Sequence, residues 1–268
     1  MASDGKDHRM VFDIRGRRRN VVKVVYATLA VLMGLSLFLV VGGFNLGELF
    51  SNSNGGSGDA AKTFEEQAEK LEAKLRKDPE DPNLLLALTR ARATAGNTLL
   101  SVEATQEDYT QGLQQYQLAS ANWSEYLEAT EEPNAGIAQL MAPTLFALAE
   151  GSRTYPEAQT NLEAATDAQR IVAEQRPNLN SLSTLAIYAL FTGDAAAAKK
   201  AEAEAHALTK EKFEREELDK QLEEVKKNAA FFQNERKKAE KAAKAGGGNA
   251  ESLETPANPF SGGASLGE

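Results

Sequence analysis

The chain has 268 residues, no cysteine, and 30 Lys/Arg against 39 Asp/Glu. Lack of cysteine excludes disulfides, thiolate metal sites, cysteine nucleophiles and lipidated cysteine, and the acidic excess argues against a nucleic-acid partner, whose phosphates it would repel. The charge is unevenly placed, +3 over residues 1–50 and −12 over residues 51–268.

Residues 1–23 read as a basic cytoplasmic tail and residues 24–44 as a transmembrane anchor. From Val24 to Phe44 run 21 residues without a charge, roughly 30 Å of helix and enough to cross a bilayer core. Arg15, Arg17, Arg18, Arg19 and Lys23 precede this run, and the next cation after it is Lys62. Basic residues stay on the cytoplasmic side, so the expected topology is single-pass in the plasma membrane with the C-terminal domain extracytoplasmic. A cleaved signal peptide is the competing reading. Its apolar core normally covers only about 7–15 residues and ends at a small-residue site; Val41-Gly42-Gly43 fits that poorly, and the uncleaved anchor is the expectation.

Residues 45–60, Ser/Gly/Asn-rich from Ser51 onward, predict a flexible linker. Residues 61–245 are dominated by Ala, Glu, Lys, Leu and Gln and nearly lack strand-like alternation, which predicts an all-α fold. Thr63 and Glu66 form a capping-box pattern ahead of a stripe of Phe64, Ala68, Leu71 and Leu75. Stop and turn signals lie at Asp78-Pro79, Gly96-Asn97, Glu132-Pro133, Gly151 to Pro156, Arg176-Pro177 and Gly193-Asp194. They delimit helices over 63–77, 82–95, 106–129, 134–150, 156–175, 179–192, 194–208 and 210–244. Pro143 predicts a kink inside 134–150, and Trp123 and Tyr126 read as packing residues. The last helix is heavily charged and has one narrow apolar edge of Leu218, Leu222, Val225 and Phe232. It reads as a cap over the final hydrophobic face; a coiled-coil seam needs more regular heptads than this edge has. Residues 246–268, rich in Gly, Ser, Asn and Pro, are expected to be disordered.

Nothing in the chain reads as catalytic, cofactor-binding or metal-binding. No P-loop, dinucleotide glycine fingerprint, HExxH or GxSxG string occurs. His206 sits on an Ala/Glu-rich helix without a neighbouring histidine, and Glu216-Glu217 and Glu223-Glu224 read as surface pairing among lysines. An enzyme is not expected.

Two stretches resemble tetratricopeptide repeats (TPR). DPEDPNLLLALTRARATAGN, Asp78 to Asn97, has the opening Asp78-Pro79, then Leu85 and Leu88, and the turn Gly96-Asn97. LNSLSTLAIYALFTGDAAAAKKAEAEAHAL, Leu179 to Leu208, has Leu182, Leu185 and small Ala186 on one helix, the turn Gly193-Asp194, and Ala198 and Ala205 at small positions of the next. Arg92 departs from the pattern at a usual aromatic site, and Pro143 stands where leucine is wanted. The resemblance implies an α-solenoid of about three helix pairs with a C-terminal capping helix. It also implies a peptide groove lined by Asn83, Leu86, Arg90 and Thr94 and by Asn180, Ser183, Ile187 and Phe191, although Leu86, Ile187 and Phe191 read equally well as helix packing. Arg90 would pair with a ligand carboxylate.

The whole layout is similar to bacterial single-pass, membrane-anchored TPR proteins of the YfgM type, and the tail and anchor look like those of actinobacterial members of that class. That resemblance implies a protein-binding scaffold or chaperone-like adaptor with translocon, chaperone or envelope-complex partners. The alternative is a structural protein of envelope assembly or division that acts as a homo-oligomer.

Overall fold

The computed structural model describes residues 57–100, 104–244, 255 and 259–260. The expected tail 1–23, anchor 24–44, linker residues 45–56 and most of 246–268 lie outside the described residues. The described helices belong to one compact unit, Gly55–Glu268. Among the described residues the fold is all-α. Its helices are α1 (Ser57–Leu75), α2 (Pro82–Leu99), α3 (Gln106–Glu128), α4 (Ala135–Glu150), α5 (Tyr155–Gln175), α6 (Leu179–Thr192), α7 (Ala195–Leu208) and α8 (Lys212–Lys244). None of these is long and apolar enough to cross a membrane.

Short polar residues start the helices by accepting backbone N–H bonds that have no intrahelical partner. Asp81 accepts from Asn83 N at 2.8 Å ahead of Pro82. Asn134 accepts from Gly136 N at 2.9 Å and Ile137 N at 3.1 Å. Asp194 accepts from Ala197 N at 2.9 Å. Thr105 with Asp108, and Asn178 with Ser181, close reciprocal capping boxes at α3 and α6. Gly193 ends α6 at φ 83°, a left-handed conformation that glycine adopts without steric cost.

Two boundaries differ by more than two residues from those expected. The first helix starts at Ser57, not Thr63, because Ala61 continues the stripe of Ala68 and Leu71 and is itself buried. Gly96-Asn97 is no turn either, since α2 continues to Leu99. A Cβ at Gly96 would lie 2.4 Å from Tyr116 Cδ1 and 3.0 Å from the Gly112 carbonyl oxygen, and one at Gly112 would lie 2.6 Å from Leu100 Cγ. The two glycines therefore let α2 and α3 cross closely, and Gly96 is a contact residue inside a helix. Pro143 lies within α4 on its exposed side, where the hydrogen bond it cannot donate faces solvent.

Consecutive helices pack as neighbours: α1 on α2, α2 on α3, α4 on α5, α5 on α6 and α6 on α7. α8 folds back against α6, with a lesser contact to α5. The largest core joins Leu85 and Ala93 of α2, Tyr116, Ala119, Trp123 and Tyr126 of α3, Ile137, Met141 and Leu145 of α4, and Val172 of α5. Trp123 and Tyr126 are thus packing residues, as expected. Arg92, at the position where a repeat would carry an aromatic, is also buried. It pairs with Glu72 of α1 and donates to Gln115 Oε1 of α3 at 3.0 Å, while Gln115 Nε2 donates to Glu65 at 2.8 Å. A buried guanidinium needs such partners to offset its desolvation, so a polar clamp joins α1, α2 and α3.

Candidate protein-binding surface

The α2 row of candidate residues is accessible. Asn83 and Arg90 are exposed, and Leu86 and Thr94 are half-buried. An adjacent face of α2 is taken up by α1, through Leu88 and Ala91 against Ala68 and Leu71, while Leu85 and Ala93 enter the main core. Asn83 and Leu86 line an open cleft of about 750 Å³ together with Pro82, Tyr126, Glu132, Asn134 and Arg176. Four elements converge there: the start of α2, the end of α3, the α3–α4 turn and the end of α5.

The walls of this cleft are tied by hydrogen bonds. Tyr126 Oη accepts from Asn134 N at 3.0 Å, and Gln175 Nε2 donates to the Pro133 carbonyl at 2.8 Å. Leu86 presents one side to the cleft and the other to the main core. Arg176 and, one turn beyond Leu86, Arg90 are exposed and form no salt bridge among the described residues. A mixed polar and apolar cleft with free guanidinium groups beside it suits a peptide bearing a carboxylate, because guanidinium binds carboxylate with two parallel hydrogen bonds.

The α6 row differs. Asn180 is exposed and Ser183 half-buried, with its hydroxyl donating to the Leu179 carbonyl at 2.6 Å. Ile187 packs against three hydrophobic clusters at once. Phe191 is only 5% exposed, so it is no open groove floor. Its ring centroid lies 6.1 Å from Phe146, 6.5 Å from Phe232 and 5.0 Å from Phe260. The cause is α8: its apolar edge carries Leu218 and Leu222 onto α6 and α7 and Phe232 onto Phe191. Gln233 Nε2 also donates to the Phe191 carbonyl. Phe260, within the span read as a disordered tail, is 6% exposed. No signal in composition reveals this, because a single phenylalanine among Gly, Pro and Asn looks like linker.

Tyr188 stacks on Phe146 at 4.7 Å, and burial, with the Glu150 charge second, pushes its hydroxyl up to about 12. That keeps it neutral near pH 7 and a poor general base. His206 is half-buried and contacts Asp219 of α8 at 2.9 Å. Glu202, one turn earlier, completes a group of three potential metal ligands that sequence spacing could not reveal, since Asp219 comes from another helix. Lys226 already bonds Glu202 at 3.2 Å, so this group reads as a clasp between α7 and α8.

No family model matches the chain, and neither does any curated protein or solved structure.

Proposed function

We propose that this chain is a membrane-tethered protein-binding scaffold that presents a helical array outside the cytoplasm. It takes a carboxylate-bearing peptide segment along the α2 face. The observation that carries the reading is the open cleft at Asn83 and Leu86, with exposed Arg90 and Arg176 beside it, neither in a salt bridge among the described residues. The tether rests on the uncharged run 24–44 behind its arginine-rich flank. An adaptor near protein export, as in the YfgM-type class, is the narrower form of this reading. Self-association in envelope assembly is a second reading, favoured by Phe213, which is 74% exposed on α8.

A photo-crosslinking residue at Asn83 in the full chain, in its native membrane, tests the first reading. Discrete protein adducts are expected, and Arg90→Glu should reduce them about tenfold or more by reversing the charge that meets the carboxylate. Unchanged adducts in the Arg90→Glu chain would reject the α2 surface, and adducts only to a second copy would favour self-association. Protease added to sealed cells should remove residues 51–268; full protection would place the array in the cytosol.

A further inference from the structure

We propose that Glu202, His206 and Asp219 form a site for a divalent transition-metal ion, of which zinc fits best, and that the bound ion staples α7 to α8. Glu202 and His206 are four residues apart and share one face of α7. Asp219 comes to them from α8. One ligand atom from each of the three lies within 4.8 Å of the other two, and His206 Nε2 is already 2.9 Å from Asp219 Oδ1. A metal with bonds of about 2.1 Å holds neighbouring ligand atoms about 3.0–3.4 Å apart. The His206–Asp219 pair is therefore near ligand spacing as it stands, and Glu202 needs only a side-chain adjustment. Zinc takes imidazole nitrogen and carboxylate oxygen together, whereas magnesium and calcium take oxygen.

The ligands stand on helices that are fixed around them. Ala205 beside His206 and Leu218 beside Asp219 are buried in one cluster, packed with Leu182 and Leu185 of α6. Between the helices, buried Thr209 donates its N–H and its hydroxyl to the His206 carbonyl, at 3.3 and 2.8 Å. Arg215 in turn donates to the Thr209 carbonyl from Nε at 3.1 Å and Nη2 at 2.9 Å. This locked turn sets His206 against Asp219 in advance, so a metal meets ligands that are largely pre-organised. Asp219 is exposed and the other two are half-buried, which leaves water free to complete the coordination shell. Lys226 is the competitor, with Nζ 3.2 Å from Glu202 and 3.1 Å from Glu223. Its ammonium shows that the place attracts a cation, and it keeps Glu223 when Glu202 turns to the metal.

The test is calorimetric titration of zinc chloride into the full chain, detergent-solubilised and stripped of metal by a chelator. One saturable site per chain is expected, and zinc should raise the melting temperature. His206→Ala and Asp219→Asn should each weaken binding about tenfold or more. Lys226→Met should tighten it about threefold or more, because the competing positive charge is gone; a clasp that binds no metal would gain nothing from that change. Excess magnesium chloride should leave zinc in place. The proposal is overturned by absence of saturable binding, or by a Lys226→Met chain that binds zinc no more tightly than the parent. It is equally overturned if magnesium competes on equal terms, or if binding is undiminished in a His206→Ala or Asp219→Asn chain that keeps its circular dichroism. None of these readouts involves Asn83 or Arg90, so this site and the α2 surface fail separately.

Discussion

On α2 the row Asn83, Leu86, Arg90, Thr94 is open to solvent, whereas on α6 the matching row Asn180, Ser183, Ile187, Phe191 descends into a core. The helices share a sequence rhythm and differ in the segments that cover them. α1 covers the face of α2 that carries Leu88 and Ala91, α3 and α4 pack on the face that carries Leu85 and Ala93, and the row of Asn83, Leu86, Arg90 and Thr94 stays partly exposed. α8, 33 residues long, returns over α6 and brings Phe232 with it, and Phe260 fills the remaining gap. A motif position therefore specifies which face of a helix a side chain occupies. Whether that face binds a ligand or a neighbouring helix depends on distant chain.

The largest effect expected from this difference is at Phe191. Phe191→Asp places a carboxylate among the rings of Phe146, Phe232 and Phe260, a change that costs about 4 kcal/mol or more. Thermal melting followed by circular dichroism should show early or lost cooperative unfolding. Arg90→Glu, on the exposed row, should stay within about 0.5 kcal/mol of the parent chain. If Phe191→Asp melted like the parent chain, the α6 row would be as open as the α2 row and the contrast would vanish.

A smaller effect separates the two glycines of the α2–α3 crossing. Alanine at either position gains about 1 kcal/mol of helix propensity, but the new methyl meets different neighbours. At Gly96 it meets the Tyr116 ring and the Gly112 backbone, with Tyr116 pinned by its hydroxyl to Asn97. At Gly112 it meets chiefly the side chain of Leu100, which is half-buried and can turn away. Gly96→Ala should therefore destabilise by about 1–3 kcal/mol, while Gly112→Ala should fall near neutral. Equal denaturant midpoints for the two variants would mean that the crossing is looser than these distances indicate.

The helices were legible because their ends are written in local chemistry: Pro82 after Asp81, Asn134 after Pro133, and Gly193-Asp194 all act within a few residues. Gly96 was misleading for the same reason. A glycine before an asparagine has a turn-like composition, and only the helix across from it, with Gly112 and Tyr116, requires a glycine inside α2. The α2 half of the surface could be read because, among the described residues, Asn83 and Arg90 stay exposed. The α6 half could not, since Phe232 and Phe260 lie 41 and 69 residues beyond Phe191, and pairings at that separation leave no local trace.

The smallest effect compares the two capping boxes, one charged and one neutral. At α3, Thr105 donates through its side chain and then its backbone to Asp108, holding that carboxyl below its usual 3.8. At α6 the equivalent partner of Asn178 is Ser181, which does not titrate in this range. A carboxyl whose pKa is lower folded than unfolded adds stability that is complete above the unfolded value. That stability is lost as pH falls through the folded value. Asp108→Asn should therefore lower the melting temperature near neutral pH, and its difference from the parent chain should shrink in acid, as pH falls through the lowered folded-state value. Ser181→Ala should lower it by the same amount at both pH values. A difference at Asp108 that persisted in acid would mean that its amide replacement disturbs packing, because no charge would remain for the cap to lose.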